Sequence, residues 1–313
     1  MVSWIAFAGA ASIVSRTRSW PMDTILIIGG SGTVGGHLLT EIARQGLDRR
    51  LNILCAARSE ATARNIEAQG FAAVHVDLDE PQSITAAMDG VTTLFLLKPY
   101  GLKMLNYAKS VVDAAAAASV RAIVNLSAFG PDASAIDLLT WHRLVDRYIE
   151  SSDIAFTHLR PGFFLEGLAA RINLQLGTVG DLSGARDVPW VAATDIARVA
   201  ATVLGVPGPH AGKAYSLVSE ALSAPYIARL LGEVAGRAFT EVAIEDGTAV
   251  EALISRGREP GFARAIVEYA KAAPDFPCDD ATGTIETITG HSAISVREFL
   301  ERNLAAKESS APT

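Results

Sequence analysis

The sequence predicts an α/β protein: a doubly wound parallel sheet followed by a smaller, mostly helical C-terminal part. Three observations predict it. Short apolar runs alternate with helical patterns through the first half of the chain. Those runs are apolar at successive positions, as strands covered by helices on both faces must be. The first run, Ile25-Leu-Ile-Ile28, leads straight into the turn Gly29-Gly-Ser-Gly-Thr-Val-Gly35 and then a helix.

The elements follow in order. The helix after the turn carries Val34, Leu38, Leu39, Ile42 and Ala43 on one face and stops at Gly46. Residues 51–57 form the second strand, ending at Arg58, and 71–76 the third, ending at Asp77. Asp79 is placed to cap a short helix that has Pro81 in its first turn and closes at Gly90. The strand over 92–97 ends at Lys98-Pro99-Tyr100, and an alanine-rich helix over about 102–119 leads to the strand 122–126, which ends at Ser127. A helix over about 138–151 precedes the strand 154–159, which ends at Arg160-Pro161-Gly162. Residues 163–187 read as an excursion from the sheet. Residues 188–204 return with Asp195 near the start of an alanine-rich helix, and 214–218 give one more strand. From 223 the chain is mostly helical. Its last helix opens on the capping box Ser295-Val-Arg-Glu298, and 307–313 read as a frayed tail.

This pattern divides the chain into a dinucleotide-binding domain, 22–162, and a substrate-binding part, 163–313, with 188–219 returning to the sheet. Residues 1–21 stand apart as a tail or an over-extended start, with Met22 just before the first strand. Their apolar stretch precedes Arg16 and Arg18, the reverse of a signal peptide, and is too short to span a bilayer.

Composition narrows the classes of function. Of 313 residues, 50% are hydrophobic and 19% charged, which is ordinary for a globular protein with a full core. A net charge of −7 without any basic run argues against nucleic acid and anionic membrane as partners. Two cysteines, Cys55 and Cys278, are too few for a disulfide scaffold, so a reducing cytoplasm is expected. A small-molecule substrate is the expected partner, and a homodimer is left open.

The special residues cluster where ligands bind in open α/β sheets, outside the carboxyl ends of the strands: Gly29, Arg58, Asp77, Lys98, Ser127 and Pro161. Gly29, Gly32 and Gly35 stand at G-x-x-G-x-x-G spacing, and Gly30, Gly32 and Gly35 at G-x-G-x-x-G. Such glycines let the backbone turn sharply, approach a pyrophosphate and pack a helix on its strand. The free N–H groups of the first helical turn then face the anion. NAD-binding folds usually end the second strand in an acid that holds the ribose; this chain has Ala57-Arg58-Ser59 there, with Glu60 next. A guanidinium grips a 2′-phosphate bidentately, and Ser59 can add a hydrogen bond, so NADP(H) is expected over NAD(H).

Together, Gly29–Gly35, Ala56-Ala-Arg58, Val76-Asp-Leu-Asp79 with Ser83-Ile84, Asp89-Gly-Val91 and Leu126-Ser127 resemble the NmrA-like atypical short-chain dehydrogenases of the Rossmann class. So do Thr157-His-Leu-Arg-Pro-Gly-Phe-Phe164, Asp195-Ile-Ala197 and Thr289-Gly290. The resemblance runs from about Thr24 to Leu304. It implies a pyrophosphate held by Gly29, Gly30, Ser31, Gly32, Thr33, Val34 and Gly35, and a 2′-phosphate on Arg58. It places Asp77 and Leu78 along the adenine, Lys98 and Ser127 beside the nicotinamide half, and Pro161 with Phe163 and Phe164 as the nicotinamide and substrate wall. That family includes NADPH-dependent reductases of quinones, dyes, isoflavonoid-type ethers and alkaloid imines, and also regulators that bind the dinucleotide without known chemistry.

One feature of the wider superfamily is missing. None of Tyr100, Tyr107, Tyr148, Tyr215, Tyr226 or Tyr269 has a lysine four residues on, so there is no Tyr-x-x-x-Lys acid. Sugar epimerase and ordinary ketone reductase are thereby removed. The helix in question offers His142 as the candidate proton donor, with Asp146 one turn on to orient it, and Ser127 as a further contact for carboxamide or substrate. The competing view of His142 is a surface helix contact or a ribose hydrogen bond. The histidines form no metal-ligand spacing with each other or the cysteines, and no metal is expected. The leading expectation is an NADPH-dependent oxidoreductase reducing a small apolar quinone, enone or imine by hydride transfer. The alternative is a non-catalytic NADP(H)-binding redox sensor acting through a protein partner. A third, weaker reading is the fold alone with no ligand.

Overall fold

The structure, a computed structural model, describes residues 23–278 and 281–309. The expected tail over 1–21, Met22 and residues 310–313 lie outside the described residues. Seven parallel strands form the main sheet: β1 (Thr24–Ile28), β2 (Asn52–Ala57), β3 (Ala72–His75), β4 (Thr93–Leu96), β5 (Ala122–Leu126), β6 (Ala155–Pro161) and β11 (Lys213–Leu217). Their order is β11-β6-β5-β4-β1-β2-β3, so the chain reverses direction across the sheet between β1 and β4. At that point the carboxyl ends of neighbouring strands splay and leave a crevice.

The alternating pleat explains the uninterrupted apolar runs. Ile25 and Ile27 point into one core and Leu26 and Ile28 into another, on the opposite face of the sheet. Helix α1 (Thr33–Arg44) brings Val34, Leu38, Leu39 and Ile42 onto the first face. There it packs against α7 (Ala193–Gly205), whose Ala197, Ala200 and Ala201 let two helices approach closely. The other face takes α3 (Pro81–Ala87), α4 (Met104–Ala117) and α5 (Asp137–Glu150). Helix α2 (Glu60–Glu67) follows β2, and Ser59 caps it by accepting the Thr62 N–H.

Two local readings change. The short helix α3 starts after Glu80, because Asp79 is engaged by Lys103 and Tyr107 and leaves capping aside. Of residues 188–219, β11 joins the main sheet beside β6, but β10 (Val188–Val191) pairs with β7 (Phe163–Phe164) and β12 (Glu220–Leu222) in a separate three-stranded sheet. Asp195 lies near the start of α7, as its third residue, and its buried carboxylate accepts the Ile294 N–H at 2.7 Å and pairs with Arg198.

The remaining elements are α6 (Leu165–Ala169), β8 (Ile172–Asn173), β9 (Thr178–Asp181), α8 (Ala224–Ala235), β13 (Thr240–Ala243), α9 (Asp246–Ser255), α10 (Pro260–Ala272), α11 (Thr284–Thr289) and α12 (Val296–Ser309). Whereas α11 sets Ile285 into the first core, most of the others build a third. Trp190, Ile227, Leu231, Phe262 and Val296 lie at its centre. At the start of α12, Ser295 accepts the Glu298 N–H as the capping box requires, while the Glu298 carboxylate turns to Arg302.

Candidate active site

The glycine turn is built by sterics. Gly29 sits at φ +92°, and a Cβ there would meet Leu97 at 2.8 Å. A Cβ on Gly35 would lie 2.1 Å from the Gly29 carbonyl oxygen and 2.6 Å from Gly30 Cα. Gly30 is under no such pressure, with its nearest neighbours at 3.6 Å and beyond. Gly29 and Gly35 are therefore the two glycines the backbone demands, and Gly32, with only the Gly29 carbonyl oxygen at 3.5 Å, is as unconstrained as Gly30. Val34 faces the core, while Ser31, Gly32 and Thr33 are exposed at the head of α1. That helix has no side-chain cap and no acidic residue in its first turn, so its leading N–H groups are left for an anion.

A cleft of about 390 Å³ opens on this turn, lined among others by Gly29, Ser31, Gly32, Arg58, Asp77 and Leu78. Arg58 is exposed at its mouth and forms no hydrogen bond to another described residue. Glu60, its sequence neighbour, is held by Arg64 one turn on, at 3.3 Å. The Ser59 hydroxyl is committed to α2, with Thr62 Oγ1 at 3.0 Å and the Thr62 N–H at 3.2 Å. Asp77 is shaped by Ser83, whose hydroxyl bonds both its N–H and its carbonyl, and its carboxylate accepts the Asp79 N–H. An uncapped helix start, a close-packed glycine turn and a free guanidinium in one cleft fit a phosphorylated dinucleotide.

Beyond the turn the residues diverge from the sequence expectations. Lys98 is buried (4% exposed) and points inward; its ammonium donates to Asn125 Oδ1 at 2.9 Å and to the Leu126 carbonyl at 2.6 Å. Burial pushes its pKa down to about 8, with Asp146 acting weakly against the shift. Ser127 is also buried, and its hydroxyl donates to Asp146 Oδ2 at 2.9 Å, so toward a ligand it is left as an acceptor.

His142 does not pair with Asp146. The Asp146 carboxylate takes Asn125, Ser127, Arg143 and Arg160, a set that leaves no place for the imidazole. Both ring nitrogens of His142 are buried without a hydrogen-bond partner. The ring itself is 1% exposed and lies edge-on to Tyr100 at 5.7 Å. Burial, with Lys98 and Arg143 adding to it, drives its pKa well below the ordinary histidine value. The imidazole is neutral at physiological pH, so it is no imidazolium acid, but a neutral ring still has one N–H to offer.

Several residues here have roles that the sequence alone does not assign. Arg143 ties the loop after β5 together by donating to the Ala128 and Gly130 carbonyls, and with Arg160 it also holds Asp132. Asn125 links Lys98 to Asp146 and contacts His158 at 3.1 Å. A polar residue in the middle of an apolar strand was the only trace of it.

Pro161 ends β6 with its carbonyl accepting the Phe129 N–H. Phe163 stacks on Tyr269 at 4.7 Å, whereas Phe164, next along β7, packs against the core of the main sheet. The two rings therefore do not form one wall. A second aromatic group was missed: Phe262 of α10 stacks on Tyr100 at 5.3 Å and on Trp141 at 5.6 Å. Burial pushes the Cys55 thiol up to about 12, which leaves it unreactive. Among the described residues no group of three or more His, Cys, Asp or Glu is placed to hold a metal ion. No helix among them is long and apolar enough to cross a membrane.

Comparison with known proteins agrees with this geometry. A model of the NmrA-like family matches residues 21–294. The NAD(P)H azoreductase of Xenophilus azovorans is 32% identical over 288 residues, covering 90% of this chain and 98% of that protein. Quinone oxidoreductase 2 of Escherichia coli (strain K12) is 25% identical over 279 residues, 88% of this chain and 96% of its own length. The crystal structure of that NADPH-dependent quinone oxidoreductase complexed with NADPH superposes with a TM-score of 0.79, at 25% identity, over 90% of this chain and 99% of that one.

Proposed function

This chain belongs to the NmrA-like family, and from that premise we propose that it is an NADP(H)-dependent oxidoreductase reducing a small, flat, conjugated acceptor of the quinone, enone, imine or azo type. The observation that carries the reading is the cofactor cleft, with the uncapped start of α1 at its base and the free Arg58 at its mouth. NADPH, when bound, supplies the hydride. The chain's own residues bind, orient and polarise.

The N–H groups of the turn and of α1 take the pyrophosphate, and Arg58 takes the 2′-phosphate. Asp77 and Leu78 lie along the adenosine wall of the cleft. Ser127, with its proton held by Asp146, accepts from the carboxamide N–H₂. A conjugated acceptor that takes hydride becomes an anion on oxygen or nitrogen. The neutral His142 donates its N–H to that atom, in a site where the Lys98 ammonium keeps the local potential positive. The compensating proton comes from water, which is why this chemistry tolerates the missing tyrosine.

The test is in two stages. Calorimetric titration should show NADPH binding more tightly than NADH, and NADPH consumption should follow with menadione, an azo dye or a cyclic imine. Tight NADPH binding without consumption across such a panel would favour a cofactor-gated regulator instead. No binding of either nucleotide would overturn both readings.

A further inference from the structure

Arg58 stays unpaired although an acid shares its cleft. Arg58 follows β2, Asp79 follows β3, and both line the cofactor cleft. Hydrogen bonds from Lys103 and Tyr107 hold the Asp79 carboxyl below its usual range, and the Arg58 guanidinium acts in the same direction. Asp79 is therefore an anion within the field of Arg58. The start of α4 directs it elsewhere. The Lys103 ammonium, one residue before that helix, donates to Asp79 Oδ1 at 2.6 Å, and the Tyr107 hydroxyl donates to the same oxygen at 2.9 Å. Among the described residues no other group hydrogen-bonds the carboxylate, so these two fix where it points. The backbone beneath it is set separately, by the Asp79 N–H donating to Asp77 Oδ1 at 3.0 Å. Lys103 is not itself among the residues that line the cleft.

A 2′-phosphate is recognised by a cation with free donors. A loose carboxylate beside Arg58 would oppose that twice over, by repelling the phosphate and by competing for the guanidinium. Pairing with Lys103 cancels the charge and turns the carboxylate towards α4. We propose that Lys103 is a positioning residue for cofactor choice: by holding Asp79, it leaves Arg58 free for the 2′-phosphate of NADP(H). The proposal rests on the cofactor part of the reading above. Tyr107 helps to aim the carboxylate, but a neutral hydroxyl leaves its charge in place. The side chains of Lys103 and Asp79 are 62% and 50% exposed, so solvent and salt screen the pair and the effect is modest.

Calorimetric titration of the full chain with adenosine 2′,5′-bisphosphate and with adenosine 5′-monophosphate isolates the 2′-phosphate. Lys103→Met should weaken the bisphosphate about three- to fivefold at low salt and leave the monophosphate unchanged, with NADPH following the bisphosphate. Lys103→Arg still holds Asp79 and should bind like the native protein. The deciding variant combines Lys103→Met with Asp79→Asn. With the acid neutralised, bisphosphate affinity should return to within about twofold of native. A loss that the second substitution does not restore would mean that Lys103 meets the phosphate itself, and would overturn the positioning role. Equal losses for both nucleotides, or no loss in Lys103→Met, would overturn it as well. The readout needs no turnover, which separates the two claims. A protein that chooses its nucleotide by this rule yet consumes no NADPH would sink the reductase reading and leave the proposal standing. A native protein that binds neither the bisphosphate nor NADPH would overturn both.

Discussion

Replacing Gly35 by alanine adds a single methyl group where the fold has no room. The new Cβ would sit 2.1 Å from the Gly29 carbonyl oxygen and 2.7 Å from the Gly30 carbonyl carbon, against ordinary contact at 3.4 Å or more. The obstructing atoms are backbone, so no side chain can swing aside. The turn must move away from α1 by about an ångström. It would thereby lose the spacing that lets the helix start face a pyrophosphate. Overpacking of this kind costs about 1–3 kcal/mol. For a chain of this size that lowers Tm by roughly 2–4 °C for each kcal/mol. Displacing the anion site should weaken NADPH by at least a hundredfold, which corresponds to about 2.7 kcal/mol. The neighbouring glycine is the control. Gly36 has nothing within 4 Å of its hypothetical Cβ and lies inside the helix, so Gly36→Ala should stabilise by about 0.5–1 kcal/mol and leave NADPH affinity intact. Calorimetry with NADPH and thermal unfolding of both variants measure all four quantities. If Gly35→Ala bound NADPH within threefold of the native protein at unchanged Tm, the steric account of the turn would be refuted.

Four other outcomes are expected. Arg58→Ala should cost NADPH about ten- to a hundredfold in affinity, the range of a charge-assisted contact, while NADH is unaffected; equal losses for both nucleotides would remove Arg58 from 2′-phosphate recognition. His142→Ala should lower kcat by about the same factor without changing NADPH binding, and the native profile should show no histidine titration near neutral pH because the imidazole is already neutral there. The Lys98 ammonium is present below about pH 8 and is lost as pH rises through it, so kcat should fall on the alkaline side, and Lys98→Met should be slow with that limb absent. Asp146→Asn should destabilise by about 3–5 kcal/mol, because Arg143 and Arg160 lose the buried carboxylate they share; a denaturant midpoint matching the native protein's would count against its role as the hub.

The parts of this protein that were legible in the sequence are those encoded over a few neighbouring residues. Strands buried on both faces must be apolar at every position, and a strand-turn-helix junction this tight must have glycine at 29 and 35, so both are written in the order of residues. Arg58 was legible because the end of a strand fixes where the next residue stands. What the tertiary structure decided depends on partners far apart in the chain. His142 and Asp146 have helical spacing, yet Asp146 goes to Arg160, Ser127 and Asn125, which arrive from neighbouring strands and offer more and better hydrogen bonds than one imidazole. Lys98 reads as a loop lysine until β5 closes over it and strips its water. The stack of Tyr100, Trp141 and Phe262 joins residues more than a hundred positions apart. Desolvation and pairing are properties of the whole packed neighbourhood, and no local pattern of residues carries them.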